Sequence, residues 1–407
     1  MSVPLRRALA LAAFAVLAVL WVLAATRLWR TKVPSDLKLP HLQASSYFTP
    51  AYLRRASSYE RFLRIDFVLA QIALIAALVG YALRGERLMR ESAAGRVGTG
   101  LLLGMLGLAI VWIAQLPFGL AEVWWERRHG VSHQGYLSWA FESFFSLGGE
   151  FLFICLTIAI VMGFAGLLGN RWWIAGVPAL VGVAVLIAFI SPFLVGQVHA
   201  ARDPALRADA RQLARVEGVG HLKVEVEDVH RFTTAPNAEA VGLGPTRRVI
   251  LWDTLLGGRF PRREVRVVLA HEIGHIAHDH IWRGLAWLVL FGLPVGFLIA
   301  MATRGRGGLY EPRAVPLALL AFVVLQLVVS PAQNATTRRM EAEADWSALR
   351  ATHDPAAARS AFQRLARTSH ADPDPPGWWQ ALTGDHPTIM QRIEMVEAYA
   401  RRQAAAG

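Results

Sequence analysis

The sequence predicts a mostly α-helical, polytopic membrane protein that also carries a smaller water-exposed part with a short β-sheet. Apolar residues make up 54% of the 407 residues and the mean hydropathy is +0.36, both high for a soluble enzyme. A helix needs roughly 20 apolar residues to cross the core of a bilayer. Charge-free windows of about this length recur seven times and predict seven transmembrane helices, at 8–26, 67–83, 97–121, 151–170, 172–198, 284–303 and 314–337.

We interpret the first window as a retained membrane helix rather than as a cleaved signal peptide. It follows Arg6 and Arg7, as a signal peptide would. However, it contains Trp21 and ends at Arg27 without a small-x-small cleavage site.

The charge distribution and the single cysteine argue against nucleic acid as a partner and against disulfides and thiolate metal sites. The formal net charge is +12, but the arginines flank the apolar windows. The lipid bilayer with its anionic headgroups is therefore the expected partner, and nucleic acid is not. Cys155 is the single cysteine, so no disulfide can form within one chain and a thiolate metal site is not expected. The Lys and Arg residues of the loops do not decide which side faces the cytoplasm.

Two stretches are polar enough to fold in water, 199–283 and 338–407. They alternate with the membrane parts 1–198, which holds five windows, and 284–337, which holds two. Because an even number of spans separates the two polar stretches, both lie on the same side of the membrane. They can therefore build one site together.

The first polar stretch alternates between helix and strand patterns. DPALRADARQLARVEG predicts a helix that ends at Gly218, and HLKVEVEDV alternates as a strand does. TTAPNAEAVGLG and RRVILWD predict two further strands joined by a Gly-Pro turn. Asp253 is expected to cap a short helix, and Pro261 to lie in the first turn of the next helix. The last stretch is predicted to be mostly helical, with an interruption at 372–377.

A metal-binding pattern lies on the helix that follows Pro261. His271 and His275 belong to H-E-x-x-H, and residues four apart share one face of a helix. Two neutral imidazoles there can hold one zinc ion per chain, while Glu272 reaches the attacking water and accepts its proton. The same pattern also occurs on ordinary surface helices. Here VVLA precedes it and indicates a buried helix, in which unpaired His and Glu would be costly.

The third metal ligand is expected after the seventh window. Glu341 and Asp345, in RRMEAEADWSAL, are four residues apart on one helix face, whereas Glu343 points elsewhere. Glu341 would complete a His-His-Glu site with an open fourth position, and Asp345 would hold the far nitrogen of a ligand histidine. The alternative is a solvated acidic helix. His278 and His280 are less suitable ligands and are expected to be polar residues at the end of the motif helix.

These motifs together resemble the type I CAAX prenyl endopeptidases, a family of integral-membrane zinc metallopeptidases. HEIGHIAHDH at 271–280 and R-x-x-E-x-x-A-D at 338–345 carry the main likeness. Further similar stretches are Asn237-Ala238 with Gly242, residues 249–256, residues 126–134 and GDHPTIMQRI at 384–393. The resemblance implies seven transmembrane helices around a water-filled chamber, joined to a zinc metallopeptidase domain with a small β-sheet.

The resemblance assigns the chemistry residue by residue. His271, His275 and Glu341 would be the zinc ligands. Glu272 would be the general base that later passes its proton to the leaving amine. His386 would stabilise the oxyanion of the tetrahedral intermediate.

The resemblance also assigns supporting and substrate-binding roles. Arg392 would support the site, and Asn237 and Ala238 would hold an extended substrate by strand addition. Two residues depart from the family pattern. Glu239 stands where an aromatic residue is usual and Thr388 where a second proline is common, so the departures concern specificity rather than chemistry.

The function expected from the resemblance is hydrolysis of peptide bonds in membrane-associated or prenylated, CAAX-type polypeptides. An alternative within the same chemistry is quality control of misfolded membrane proteins, as in the related bacterial heat-shock proteases. A zinc-dependent sensor or scaffold without turnover is disfavoured by the intact Glu272. A channel or transporter is disfavoured because the spans hold few ionisable residues. We expect a multi-pass protein, of the cell membrane if bacterial, with its active site toward the cytoplasm.

Overall fold

The computed structural model describes residues 3–88 and 94–406 and confirms the mostly α-helical architecture. The helices are α1 (Val3–Leu28), α2 (Pro50–Leu88), α3 (Gly95–Arg128), α4 (Tyr136–Leu168), α5 (Trp173–Ile190), α6 (Pro204–Val216), α7 (Arg262–Ala277), α8 (His280–Thr303), α9 (Val315–Thr352), α10 (Pro355–Thr368), α11 (Gly377–Thr383) and α12 (Ile389–Ala406). The strands are β1 (Val198–Ala200), β2 (Lys223–Glu227), β3 (Ala238–Val241) and β4 (Arg248–Trp252).

Six helices of the described residues are long and apolar enough to cross a membrane. They are α2 to α5, α8 and α9, and they coincide with the second to seventh predicted windows. The described residues thus contain six spans against the seven predicted: the first window, 8–26, falls partly on residues outside this description, and the apolar stretch described in α1 is Ala15–Leu28. Trp21 nevertheless joins this helix to α8, since its indole nitrogen donates to Leu290 O at 2.9 Å.

The fifth membrane helix is shorter than its predicted window, 172–198. α5 ends at Ile190, and Pro192 lies in a short 3-10 turn that follows it. Residues Val198–Ala200 then form β1, which pairs antiparallel with β2 and which the sequence did not predict. A strand of three residues is too short to show the alternation by which strands are identified.

The four strands form one sheet in the order β1-β2-β4-β3. β2 and β4 are parallel, whereas β3 and β4 are antiparallel and joined by a turn that contains Gly244 and a proline, as predicted. One face of the sheet, with Val226, Val249 and Leu251, packs on the core next to α7. β3 is an edge strand beside α7, and its outer edge is unpaired within the described residues.

Two local expectations in this segment are corrected by the structure. Asp253 is not a helix cap: it is the first residue of a 3-10 turn, and its carboxylate accepts hydrogen bonds from Val229 N and His230 N, both at 3.0 Å. It ties down the loop after β2 instead. Pro261 is the residue just before α7 rather than a residue of its first turn.

A single helix leads from the membrane into the peptidase part of the molecule. α9 runs for 38 residues, and its last turns are buried between α7 and the C-terminal helices. The two polar stretches therefore meet on one side, as the even number of intervening spans predicts. α10, α11 and α12 confirm the helical last stretch with its interruption near 372–377.

Candidate metal centre

The helix α7 presents both motif histidines to α9. The residues between and before them, including Leu269, Ala270 and Ile273, are fully buried in the core. Gly274 lies where the two helices touch: a Cβ at this position would lie 3.2 Å from Ser347 Cβ and 3.3 Å from Ala344 Cα. The small residue inside the motif thus lets α9 approach closely enough to bring its acids to the histidines.

His271, His275 and Glu341 converge at one point between α7 and α9. The Nε2 atoms of the two histidines are 3.1 Å apart. His271 Nε2 lies 3.1 Å from one carboxylate oxygen of Glu341, and His275 Nε2 lies 3.4 Å from the other. His271 and Glu341 are buried, and His275 is partly buried. The structure therefore brings together the three residues for which the sequence predicts a metal-binding role.

Each motif histidine is oriented at its Nδ1 atom by a separate acidic residue, directly for His271 and through His280 for His275. His271 Nδ1 lies 2.8 Å from Asp345 Oδ1. His275 Nδ1 lies 2.9 Å from His280 Nδ1, and His280 Nε2 lies 3.2 Å from Glu343 Oε2. Since a carboxylate only accepts, these partners place a hydrogen on Nδ1 of His271 and, through His280, on Nδ1 of His275. Both Nε2 atoms are then left as lone pairs aimed at the same point.

This donor set fits a zinc ion. Two imidazole lone pairs and a carboxylate that face one another repel unless a cation lies between them. Glu341 Oε2 is buried and has no hydrogen bond from the described residues, although imidazole nitrogens lie near it. Two nitrogens and one carboxylate oxygen are a usual set for hydrolytic zinc, with a fourth position open.

The electrostatics of His271 also favour a cation. Burial lowers the pKa of this imidazole, but the hydrogen bond and charge of Asp345, together with Glu341, outweigh it and raise the pKa to about 10. The two carboxylates thus favour positive charge at this ring. A metal ion at Nε2 supplies that charge while the ring itself stays neutral.

Asp345 is itself held by Arg392, as a support role for this arginine predicts. The Arg392 guanidinium donates to both Asp345 oxygens, at 2.9 and 2.6 Å, and stacks over the Phe362 ring at 4.1 Å. Arg392 therefore acts on the centre through Asp345 and His271, as a positioning residue.

Two residues of the centre were missed from the sequence, His280 and Glu343. Both are buried, and Glu343 also accepts hydrogen bonds from Arg283 and from the backbone nitrogen of Lys32, the latter at 2.6 Å. The sequence signal that could have identified these residues is the spacing of His280 and Arg283, which places two hydrogen-bond donors on one face at the start of α8. His278, by contrast, lies away from the centre, with Nε2 3.2 Å from Ser347 Oγ.

His386 reaches the centre from the loop between α11 and α12. Its Nε2 lies 3.0 Å from Glu341 Oε2, and its Nδ1 lies 2.8 Å from Asp385 Oδ1. His271, Glu341 and His386 offer donor atoms within 4.8 Å of one another, so His386 lies as near the centre as a ligand would. A cavity of about 330 Å³ adjoins His386 and Arg392.

Arg338 of α9 fixes the loop that carries His386. Its guanidinium donates to the carbonyl oxygens of Gln380, at 2.9 Å, and Gly384, at 2.6 Å. The same helix thus supplies Glu341 and holds His386 beside it.

Glu272 lies on α7 between the two motif histidines, and the edge strand β3 contacts the same helix. The Glu272 side chain is 8% exposed and forms neither a hydrogen bond nor an ion pair with the described residues, which suits a base that meets water. Asn237 O accepts from Trp252 N at 2.9 Å and thereby starts the pairing that Ala238 continues along β3. The sequence-predicted residues Asn237 and Ala238 therefore begin the unpaired edge.

Comparisons with known proteins find similar proteases. Residues 200–400 match the model of "Peptidase family M48". "Uncharacterized metalloprotease YhfN" of Bacillus subtilis (strain 168) is 28% identical over 66% of this chain and 66% of its own length. A "Protease HtpX homolog" of Aeropyrum pernix is 28% identical over 45% of this chain and 61% of its own length. "CAAX prenyl protease 1 homolog" of Oryza sativa subsp. japonica is 25% identical over 72% and 73%.

A solved structure shares the whole fold. S. mikatae Ste24p superposes with a TM-score of 0.74 over 93% of this chain and 97% of that chain, at 16% identity. The chain spans just under two thirds, 66%, of the first relative above and 61% of the second. The matched segment 200–400 contains every residue of the metal centre.

Proposed function

We propose that this integral membrane protein, whose residues 200–400 match the model of peptidase family M48, is a zinc endopeptidase. The resemblance inferred from the sequence is confirmed at the level of the family and of the fold. The observation that carries the proposal is the convergence of His271, His275 and Glu341 beside a buried Glu272 that pairs with none of the described residues. A structural metal site does not need a free carboxylate next to it, whereas hydrolysis needs a base.

The residues of the centre divide the reaction among them. A zinc ion bound by His271, His275 and Glu341 would polarise the scissile carbonyl and acidify water. Glu272 takes a proton from the attacking water and delivers it to the nitrogen of the leaving amine. His386 donates its N–H toward the carbonyl oxygen as that oxygen becomes negative.

The edge strand β3 holds the substrate. An extended polypeptide that adds to the free edge, which begins at Asn237 and Ala238, satisfies the backbone groups of this strand that do not pair with β4. Backbone hydrogen bonds of this kind accept many side chains. The strand lies next to α7, so it presents the peptide bond to Glu272.

We propose membrane-associated or prenylated, CAAX-type polypeptides as substrates. The support is the similarity to a CAAX prenyl protease 1 homolog over most of the chain. A second candidate, quality control of membrane proteins, is favoured by the similarity to HtpX homologs. For either substrate we place the active site on the cytoplasmic side, in the cell membrane if the chain is bacterial, in contact with lipid and not with nucleic acid.

The test is cleavage of peptides by the full chain in lipid nanodiscs, with zinc stripped and then restored. Glu272→Gln is expected to retain one zinc per chain, measured by elemental analysis, and to lose turnover by several orders of magnitude. Normal turnover by this variant would overturn the mechanism. Matched peptides with and without a prenyl group decide between the two substrates: a strong preference for the prenylated member supports the CAAX type, and equal cleavage supports quality control.

A further inference from the structure

Glu239 lies on the opposite face of the sheet from its neighbours in β3. Ala238 and Ala240 pack against the core cluster, so the side chain between them points the other way. In register, Glu239 lies beside Ile250 of β4, which in turn lies beside Glu225 of β2. Glu239 is therefore the last side chain of its row before the free edge.

The carboxylate of Glu239 has acidic neighbours and no basic partner among the described residues. It is half-buried and forms no hydrogen bond or ion pair with them. Burial raises its pKa, and the nearby charges of Glu227 and Glu272 raise the pKa further. The arginine of β4 on this face, Arg248, is engaged elsewhere, because it donates to Glu225 at 3.0 Å and stacks over the Phe193 ring at 4.9 Å.

A strand that adds to β3 continues this row by one residue. Side chains directly opposite one another on adjacent strands share a face, with Cβ atoms about 4.5–5.5 Å apart. The substrate residue opposite Glu239 thus enters a half-buried, negatively charged position. A Lys or Arg side chain there gains an unengaged ion-pair partner, whereas an Asp or Glu side chain faces the Glu239 carboxylate, whose pKa the charges of Glu227 and Glu272 already raise.

We propose that Glu239 is a specificity-determining residue that selects a substrate with a Lys or Arg side chain at the position opposite it on the added strand. This inference rests on the proposed function, because it requires a peptide bound to β3. It adds a preference for a positively charged side chain to a binding mode that otherwise recognises only the substrate backbone.

The experiment uses a peptide series in which Lys, Gln or Glu occupies each position near the scissile bond in turn. The wild-type chain in nanodiscs is expected to prefer Lys over Glu at one position by about five- to tenfold in kcat/KM. Glu239→Gln is expected to bring this ratio close to one, and Glu239→Lys to reverse it in favour of the Glu peptide. Glu397→Gln, which removes a carboxylate of α12 that pairs with Arg359 of α10, is the control and is expected to keep the wild-type ratio.

The other outcomes separate the inference from the proposed function. If the wild type cleaves the Gln peptides but no position shows a charge preference that changes with Glu239, the inference is wrong and the peptidase stands. If Glu239→Gln lowers kcat equally for all three peptides, Glu239 acts through Glu272 and the specificity role is likewise wrong. If no peptide is cleaved above the level of Glu272→Gln, the proposed function fails and the inference fails with it.

Discussion

The two histidines of the motif are positioned by unlike partners. His271 is backed directly by Asp345, which Arg392 clamps, whereas His275 is backed by an imidazole, His280, in front of Glu343. Both arrangements leave Nε2 free for a metal ion. Because a carboxylate strengthens the donor power of an imidazole more than a neutral ring does, Asp345 is expected to matter more for metal affinity.

The Asp345→Asn substitution tests this support. The amide oxygen still accepts the His271 N–H, but the negative charge is lost, and Arg392 loses its ionic partner and its hydrogen bond to Oδ2. We expect zinc to bind about 10- to 100-fold more weakly, measured by chelator competition. Glu397→Gln, which removes an ion pair with Arg359 on the outer side of the same C-terminal segment, is the control and is expected to bind zinc normally. Equal zinc affinity of Asp345→Asn and the control would contradict this role.

The sequence was sufficient to predict the direct partners of the centre and not the indirect ones. His271, His275, Glu341 and Asp345 follow from four-residue spacing on regular helices. His280 does not, because the chain leaves the helical conformation at Asp279, with φ 51°, before α8 begins. The direction of the His280 ring depends on that break, which spacing rules cannot describe.

At the scale of secondary structure, the contact between α7 and α9 decides whether the ligands meet. The two helices come from separate polar stretches and touch at Gly274. On an isolated helix, Gly→Ala is stabilising by about 1 kcal/mol. Here an added methyl group lies within 3.3 Å of Ala344 Cα, which is backbone and cannot move aside alone.

Gly274→Ala is therefore expected to destabilise the fold and weaken zinc binding, despite the better helix propensity of alanine. Crowding of a packed contact costs about 1–3 kcal/mol. The matched control is Gly284→Ala on α8, where a Cβ would meet nothing within 4 Å. Thermal unfolding and zinc retention in the same detergent compare the two variants. A Gly274→Ala chain as stable as the control would show that α7 and α9 have room to separate.

Hydropathy windows located the membrane helices well but not their ends. α9 continues without a break from the seventh window through Glu341 to Thr352, because its later turns exchange lipid contact for protein core. α5 stops short at Ile190, before a proline in the same window. Apolar composition reports the environment of a segment, whereas helix ends depend on backbone breaks and on partners distant in sequence.

At the scale of the whole molecule, the loop between α1 and α2 and the first turn of α2 are built into the peptidase part. Phe48 and Tyr52 stack on each other and belong to the core that α10 and α12 form. Tyr52 Oη donates to Ala371 O at 2.7 Å, and Lys32 N donates to Glu343. The predicted division into 1–198, 199–283, 284–337 and 338–407 stays a prediction about organisation, and the packing crosses it.

Phe48→Ala is expected to destabilise the C-terminal helices although they are far away in sequence. The side chain is 3% exposed, and removing a buried phenylalanine costs about 3–5 kcal/mol. Leu39→Ala in the same loop, 40% exposed, is the control and is expected to have a small effect. Proteolytic susceptibility of α12 and the thermal midpoint report the difference. Similar behaviour of the two variants would mean that the loop is dispensable to the core.

Metal removal tests how the centre couples the two polar stretches. His271 and His275 lie before the last two membrane helices and Glu341 lies at the end of them, so a bound zinc ion closes a loop through the bilayer. A ligand that binds only the folded state stabilises it by RT ln(1 + [L]/Kd), about 4.1 kcal/mol at a thousandfold excess over Kd. Chelation is therefore expected to lower the thermal midpoint of the wild type, and added zinc to restore it. Glu272→Gln is expected to show the same shift because it keeps all three ligands, whereas Glu341→Gln is expected to lose it. A zinc-dependent shift that persists in full in Glu341→Gln would contradict the assignment of Glu341 as the third ligand, because the ion would then be held without its carboxylate.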